Sequence, residues 1–358
     1  MNKEKENSNL KLKQNAKLLI LAFLIISIFF INEDNLETLF SLGKNERQID
    51  LIASIEVPEA SNINIYEDNI SVWTQNKLSI FDLKGNLKTE KEFEFEDSSV
   101  HFGKNYIYIA DKTSGDVHKL NTDGETINLL NFKNPFFNIY EKNGNTLYHT
   151  KSNESESIYI YNKNDVLVAE RSFIGKNVLS YEIENADTDY TISTLDLNKN
   201  NLKSKLTTYD KKSEEKFSLD IDKEIVLYMD TLNSTNMAVL TDKSLYSIKD
   251  EQIIWEKSFN LIKDMYIEDK IYILYSNYLE SINFEGKTIE NIGFDKNYQN
   301  IIPIGKDILA YGEDGFSLIS NDKEVLQHVS NIDHLSTFGE NIVILNDGKL
   351  YVYRVVKI

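Results

Sequence analysis

Leu78-Ser79-Ile80-Phe81-Asp82-Leu83-Lys84-Gly85-Asn86 is a strand of aliphatic and aromatic residues running into a turn that carries Asp and Gly, and the phrase returns along the chain. It comes back as Val117-His118-Lys119-Leu120-Asn121-Thr122-Asp123-Gly124-Glu125 and as Ile158-Tyr159-Ile160-Tyr161-Asn162-Lys163-Asn164-Asp165. Later copies are Leu206-Thr207-Thr208-Tyr209-Asp210-Lys211, Leu245-Tyr246-Ser247-Ile248-Lys249-Asp250, Leu279-Glu280-Ser281-Ile282-Asn283-Phe284-Glu285-Gly286, Phe316-Ser317-Leu318-Ile319-Ser320-Asn321-Asp322 and Leu350-Tyr351-Val352-Tyr353. Their spacing, roughly 33 to 48 residues, is that of four-stranded propeller blades, and no helical periodicity accompanies it. The fold class expected is all-β: a β-propeller of eight blades, with seven as the alternative, preceded by one N-terminal transmembrane helix.

A second strand lies ahead of each copy, for example Ile70–Trp73, Tyr106–Ala110, Ile271–Tyr275 and Ile342–Leu345. Many of these are apolar on both faces. A blade requires this, because its middle strands are sandwiched between neighbouring sheets. The twenty tyrosines are therefore read mostly as core, with rings between blades and hydroxyls at a wet edge. Ile49–Val57 is a strand with no repeat of its own, while the last copy is followed only by Arg354-Val355-Val356-Lys357-Ile358. The early strand is expected to pair into the final blade and close the ring.

Composition narrows the chemistry. The chain has 358 residues, 41% hydrophobic, enough to bury one large all-β core, and only three Pro. It has no Cys, which excludes disulfides, thiolate catalysis, cysteine-ligated metals and a lipidated cysteine. Five Lys and two Glu in residues 1–17 leave the rest of the chain at −21 when the whole carries −18. Such a field disfavours nucleic acid, anionic headgroups and wall polyanions, and favours basic partners or loosely held cations.

The apolar run Leu18, Leu19, Ile20, Leu21, Ala22, Phe23, Leu24, Ile25, Ile26, Ser27, Ile28, Phe29, Phe30, Ile31 ends at Asn32-Glu33-Asp34. Its length, about 14 residues, suits a signal-peptide core. Its flanks favour an uncleaved anchor, because Phe29-Phe30-Ile31-Asn32-Glu33 lacks the small residues that signal peptidase needs. Lys17 can snorkel, thinning of the bilayer can absorb the mismatch, and the lysines hold the tail inside. The expected organisation is a basic cytoplasmic tail (1–17), an anchor in the lipid bilayer (18–31), a stalk (32–48) with a Leu36, Leu39, Phe40, Leu42 stripe, and an extracytoplasmic propeller (49–358). The location expected is the cell membrane, single-pass.

The turn after Leu78 and the segment Leu245-Tyr246-Ser247-Ile248-Lys249-Asp250-Glu251-Gln252-Ile253-Ile254-Trp255-Glu256-Lys257 resemble the repeats of quinoprotein-like propellers, in which a tight turn leads to a Trp-bearing outer strand. The chain as a whole resembles an uncharacterised family of membrane-anchored bacterial propellers with WD40/PQQ-like repeats. Trp255 sits where that resemblance puts a docking Trp, whereas Trp73 lies on an earlier strand. The resemblance implies a disulfide near the cofactor in the enzymatic members, which this chain cannot make.

Motifs for chemistry are sparse. His101, His118, His149, His328 and His334 are scattered without metal-binding spacing. Asp111-Lys112-Thr113-Ser114-Gly115-Asp116 lacks the ligand alternation of a calcium loop and reads as a hairpin, and Asp187-Thr188-Asp189 reads as a polar turn. Asp123-Gly124, Asp314-Gly315 and Asp347-Gly348 are turn dipeptides that supply positive φ. No nucleophile elbow, phosphate loop or dinucleotide fingerprint occurs. No catalytic, cofactor or metal residue is assigned, and no cofactor is expected. The function expected is a non-catalytic scaffold that binds another envelope protein. The alternative is a propeller-type lyase or glycosidase acting on an envelope glycan with funnel carboxylates.

Overall fold

The computed structural model describes residues 47–184, 189–196, 202–232, 236–249 and 252–357. Gln48–Val356 forms one unit, and Met1–Arg47 with Lys357–Ile358 falls in another, of which only Arg47 and Lys357 are described. The expected anchor and nearly all of the expected stalk lie outside the described residues.

Among the described residues, eight antiparallel four-stranded sheets follow one another. We number them as blades 1 (residues 62–92), 2 (98–131), 3 (136–174), 4 (177–222), 5 (226–258), 6 (262–293), 7 (300–329) and 8. Blade 8 combines His334–Phe338, Asn341–Asn346 and Lys349–Lys357 with Arg47–Glu56 as its outermost strand. The ring thus closes as the sequence implies, by a strand beginning two residues ahead of position 49. The amide of Val57 donates to Gly348 O at 2.8 Å, extending the pairing past the strand end.

The repeated phrase is the third strand of a blade and the turn that follows it. Its Asp or Asn folds back as an Asx turn: Asp82 Oδ1 accepts from the amides of Lys84 (2.9 Å) and Asn86 (2.8 Å). Asn121, Asn162 and Asp210 do the same for the residues two and four positions on. Three residues after the cap the backbone must turn left-handed, which is why Gly stands there in three copies, with φ of 88° at Gly85, 84° at Gly124 and 83° at Gly286.

Strand alternation then divides each middle strand between two seams. In Ile107–Asp111, Ile107 and Ile109 pack toward blade 1, whereas Tyr108 and Ala110 pack toward blade 3. In Asn341–Asn346, Ile342 and Ile344 face blade 7 while Val343 and Leu345 face blade 1. Among the described residues there is one apolar cluster for each of the eight seams. Burial of both faces is therefore the source of cohesion around the ring. Trp255 docks as the resemblance implies: its Nε1 donates to Phe284 O of blade 6 at 2.9 Å, and its ring lies over Gly286.

Candidate functional site

Strand order gives the propeller two unlike faces. On the upper face lie the connections from each outer strand to the next inner strand, together with the turns between second and third strands. The lower face carries the remaining turns. The strand Arg47–Glu56 enters at the lower face and leaves at the upper, because Val57 pairs with Gly348 in an upper turn.

The upper face over blades 3 to 7 holds large apolar side chains in solvent. Phe137, Ile174, Leu227, Leu261 and Val329 are all exposed, and each stands at the end of an outer strand, at the start of the next inner strand or in the connection between them. Two of them arise from one backbone device. The inner strands of blades 3, 4, 5 and 6 each carry a register shift near their upper ends, which places Phe137, Leu179, Leu227 and Lys263 in the unpaired positions.

Leu261 is the most unusual of the group. Left-handed residues recur in these connections, as Glu59, Lys133, Gly175 and Lys223, and all of those are polar or glycine. Leu261 adopts φ 55° with its side chain 76% exposed, so neither conformation nor hydration explains a leucine there. Beside it is a cleft of about 560 Å³ whose lining includes the exposed ring of Tyr278 and Phe294.

At the lower ends of the inner strands a polar cluster spans three blades. Lys142 of blade 3 donates to Glu182 of blade 4 and to Asp230 of blade 5. Glu182 is fully buried, and it also accepts from Thr231 (2.5 Å) and Tyr140 (2.7 Å). Burial pushes the Glu182 carboxyl up, against the pull of Lys142 and the two hydroxyl donors. Burial likewise pushes up the Tyr140 and Tyr228 phenols and, in blade 6, the Asp264 carboxyl. Asp264 is itself occupied, accepting from the amides of Met265 and Ile301 at 2.8 Å each. Because Lys142 engages both Glu182 and Asp230, the arrangement is a clamp between blades.

The sequence candidates fall into place around these features. The five histidines lie on separate strands, and no group that could hold a metal ion occurs among the described residues. His149 is buried, with Nε2 3.1 Å from Glu156, and burial pushes its imidazole down to about 4. Asp111 caps a hairpin, accepting from the Thr113 amide at 2.8 Å, as its sequence suggests. Asp187 and Thr188 lie outside the described residues. The clamp at Lys142 was not legible, since its members are up to 88 residues apart in the chain.

The fold and its faces define the class: an eight-bladed β-propeller. Within that class the chain belongs to the family described as "Family of unknown function (DUF5711)", whose model matches residues 44–328. No curated protein matches the sequence. Among solved structures, BamB from Moraxella catarrhalis is similar, with a TM-score of 0.59, 11% identity, and coverage of 86% of this chain and 98% of that one. Sqt1 from Saccharomyces cerevisiae has a TM-score of 0.59, 10% identity, and coverage of 88% and 98%. Likeness at these identities is a likeness of fold.

Proposed function

We propose that this protein is a non-catalytic docking module of the cell envelope, anchored by residues 18–31 and holding its propeller outside the membrane. The carrying observation is the row of apolar side chains on the upper face, above all Leu261, which is solvent-exposed in a left-handed backbone. Apolar surface kept in water on a rigid scaffold is the signature of a binding face. Tying of Glu182 and Asp230 by Lys142 favours binding over the alternative of a lyase or glycosidase. The partner expected is another envelope protein with a basic or apolar patch, given the chain's formal charge of −18.

Crosslinking in intact cells followed by mass spectrometry tests the reading. Recovery of one or a few extracytoplasmic membrane proteins, lost when Leu227→Ser and Leu261→Gly are combined, is expected. Recovery of none, or hydrolase or lyase activity on wall glycans abolished by Glu182→Gln, overturns it. Intact mass of the native protein tests the anchor: a mature start between Phe29 and Gln48 would show that it is removed.

A further inference from the structure

Where the ring closes, a groove of about 720 Å³ opens at the upper rim between blades 8 and 1. One wall is the end of the closing strand and the connection after it, bearing Glu56 and Glu59. The facing wall is the outer strand Leu87–Glu92, bearing Glu90 and Glu92. Val57, Pro58, Val72 and Phe81 supply apolar lining between them.

The acidity of the second wall follows from strand alternation. In Glu90-Lys91-Glu92-Phe93-Glu94-Phe95 the aromatic positions turn toward blade 2, where both Phe93 and Phe95 pack edge-on against His118 at 5.5 and 5.2 Å. The intervening glutamates are left to the groove side and the rim. Only part of this charge is answered within the chain. Lys77 lies 3.2 Å from Glu90 and Lys349 lies 3.1 Å from Glu56, but no Lys or Arg among the described residues pairs with Glu59 or Glu92. Like charges on facing walls repel each other, and the seam below is already held by its own apolar cluster. A solvated acidic surface would need neither the concavity nor the apolar lining.

We propose that this groove docks an extended basic segment of the partner protein, with Lys or Arg reaching Glu59 and Glu92 and an apolar side chain seated against Val72 and Phe81. The assignment rests on the docking reading above and names the chemistry of its ligand. It also makes the site depend on ring closure, since the strand that closes the propeller builds one wall.

The probe is a short fluorescent peptide of alternating Lys and Leu, with a Glu and Leu peptide as control, titrated by anisotropy against the purified full-length protein. The Lys and Leu peptide binds, the control does not, and raising the salt weakens binding. The double substitution Glu59→Lys with Glu92→Lys weakens it by about tenfold or more, and Glu59→Gln with Glu92→Gln weakens it less. Should the lysine pair fail to fold by circular dichroism, the glutamine pair decides. Absence of binding, equal binding of both peptides, or indifference to the groove substitutions overturns the proposal. If the peptide fails while crosslinking still recovers a partner sensitive to Leu227 and Leu261, the groove assignment falls and the docking function stands. If crosslinking recovers nothing, the docking function falls whatever the peptide does.

Discussion

Lys142 reaches across an entire blade: rooted in blade 3, its ammonium group is hydrogen-bonded to Asp230 of blade 5 as well as to Glu182 of the blade between them. With the lysine side chain 21% exposed and Glu182 fully buried, the charges compensate each other in a poorly solvated place. Lys142→Met should therefore destabilise the protein by about 2 kcal/mol, by stranding a buried carboxylate. Adding Glu182→Gln should restore part of the loss, and urea denaturation of the single and double variants checks the coupling.

Gly286 and Gly175 both sit at positive φ, 83° and 66°, but only the first has a neighbour in the way. A Cβ at Gly286 would lie 2.8 Å from the Trp255 ring, whereas at Gly175 it would meet nothing within 4 Å. Gly175→Ala should cost about 1 kcal/mol from backbone strain alone, and Gly286→Ala about 1 to 3 kcal/mol more, because the docked Trp must shift. Equal losses in thermal unfolding would mean that the Trp255 contact is not tight.

Burial holds the His149 imidazole at about 4, below its ordinary 6.5, even though Glu156 pulls the other way. Between those values the unfolded chain binds more protons at this residue than the folded one, so folding weakens as pH falls through the window. The slope is at most about 1.4 kcal/mol per pH unit from this one group. His149→Gln removes that contribution. The stability difference between the variant and the natural protein should thus change between pH 7 and pH 4.5, and a difference that stays constant would rule the titration out.

Removing the closing strand and the connection after it exposes one flank of Lys349–Lys357 and takes Ala53, Ile55 and Val57 from the seam with blade 1. A chain beginning at Ser61 should unfold at lower temperature and self-associate through the bared edge, as light scattering would report. Equal stability and a monomeric state would contradict the role given to Arg47–Glu56.

Leu261→Gly should raise stability slightly, by about 0.5 kcal/mol, because glycine accepts φ 55° and the lost side chain buried little. Partner capture should fall in the same variant. A gain in stability coupled to a loss of binding separates a docking residue from a structural one.

The sequence by itself determined the blade. Its Asx cap, its left-handed Gly85, Gly124 or Gly286, and its doubly apolar second strand are local features, set by backbone sterics and by the two-residue period of a strand. It also disclosed the spare strand ahead of the first repeat, because a sheet missing its fourth strand is an imbalance that can be counted along the chain. What only the tertiary structure decided is which of these repeated units came to differ. Glu182 and Asp230 look like any other acids in a chain with 57 of them, and only the ring brings both to Lys142. Leu261 reads as one more leucine until its φ and exposure are known, and the groove between Glu59 and Glu92 exists only once the first strand lies beside the last. Local chemistry repeats from blade to blade, whereas a site arises from the placement of side chains on different blades, which the closure of the ring sets and the order of residues does not reveal.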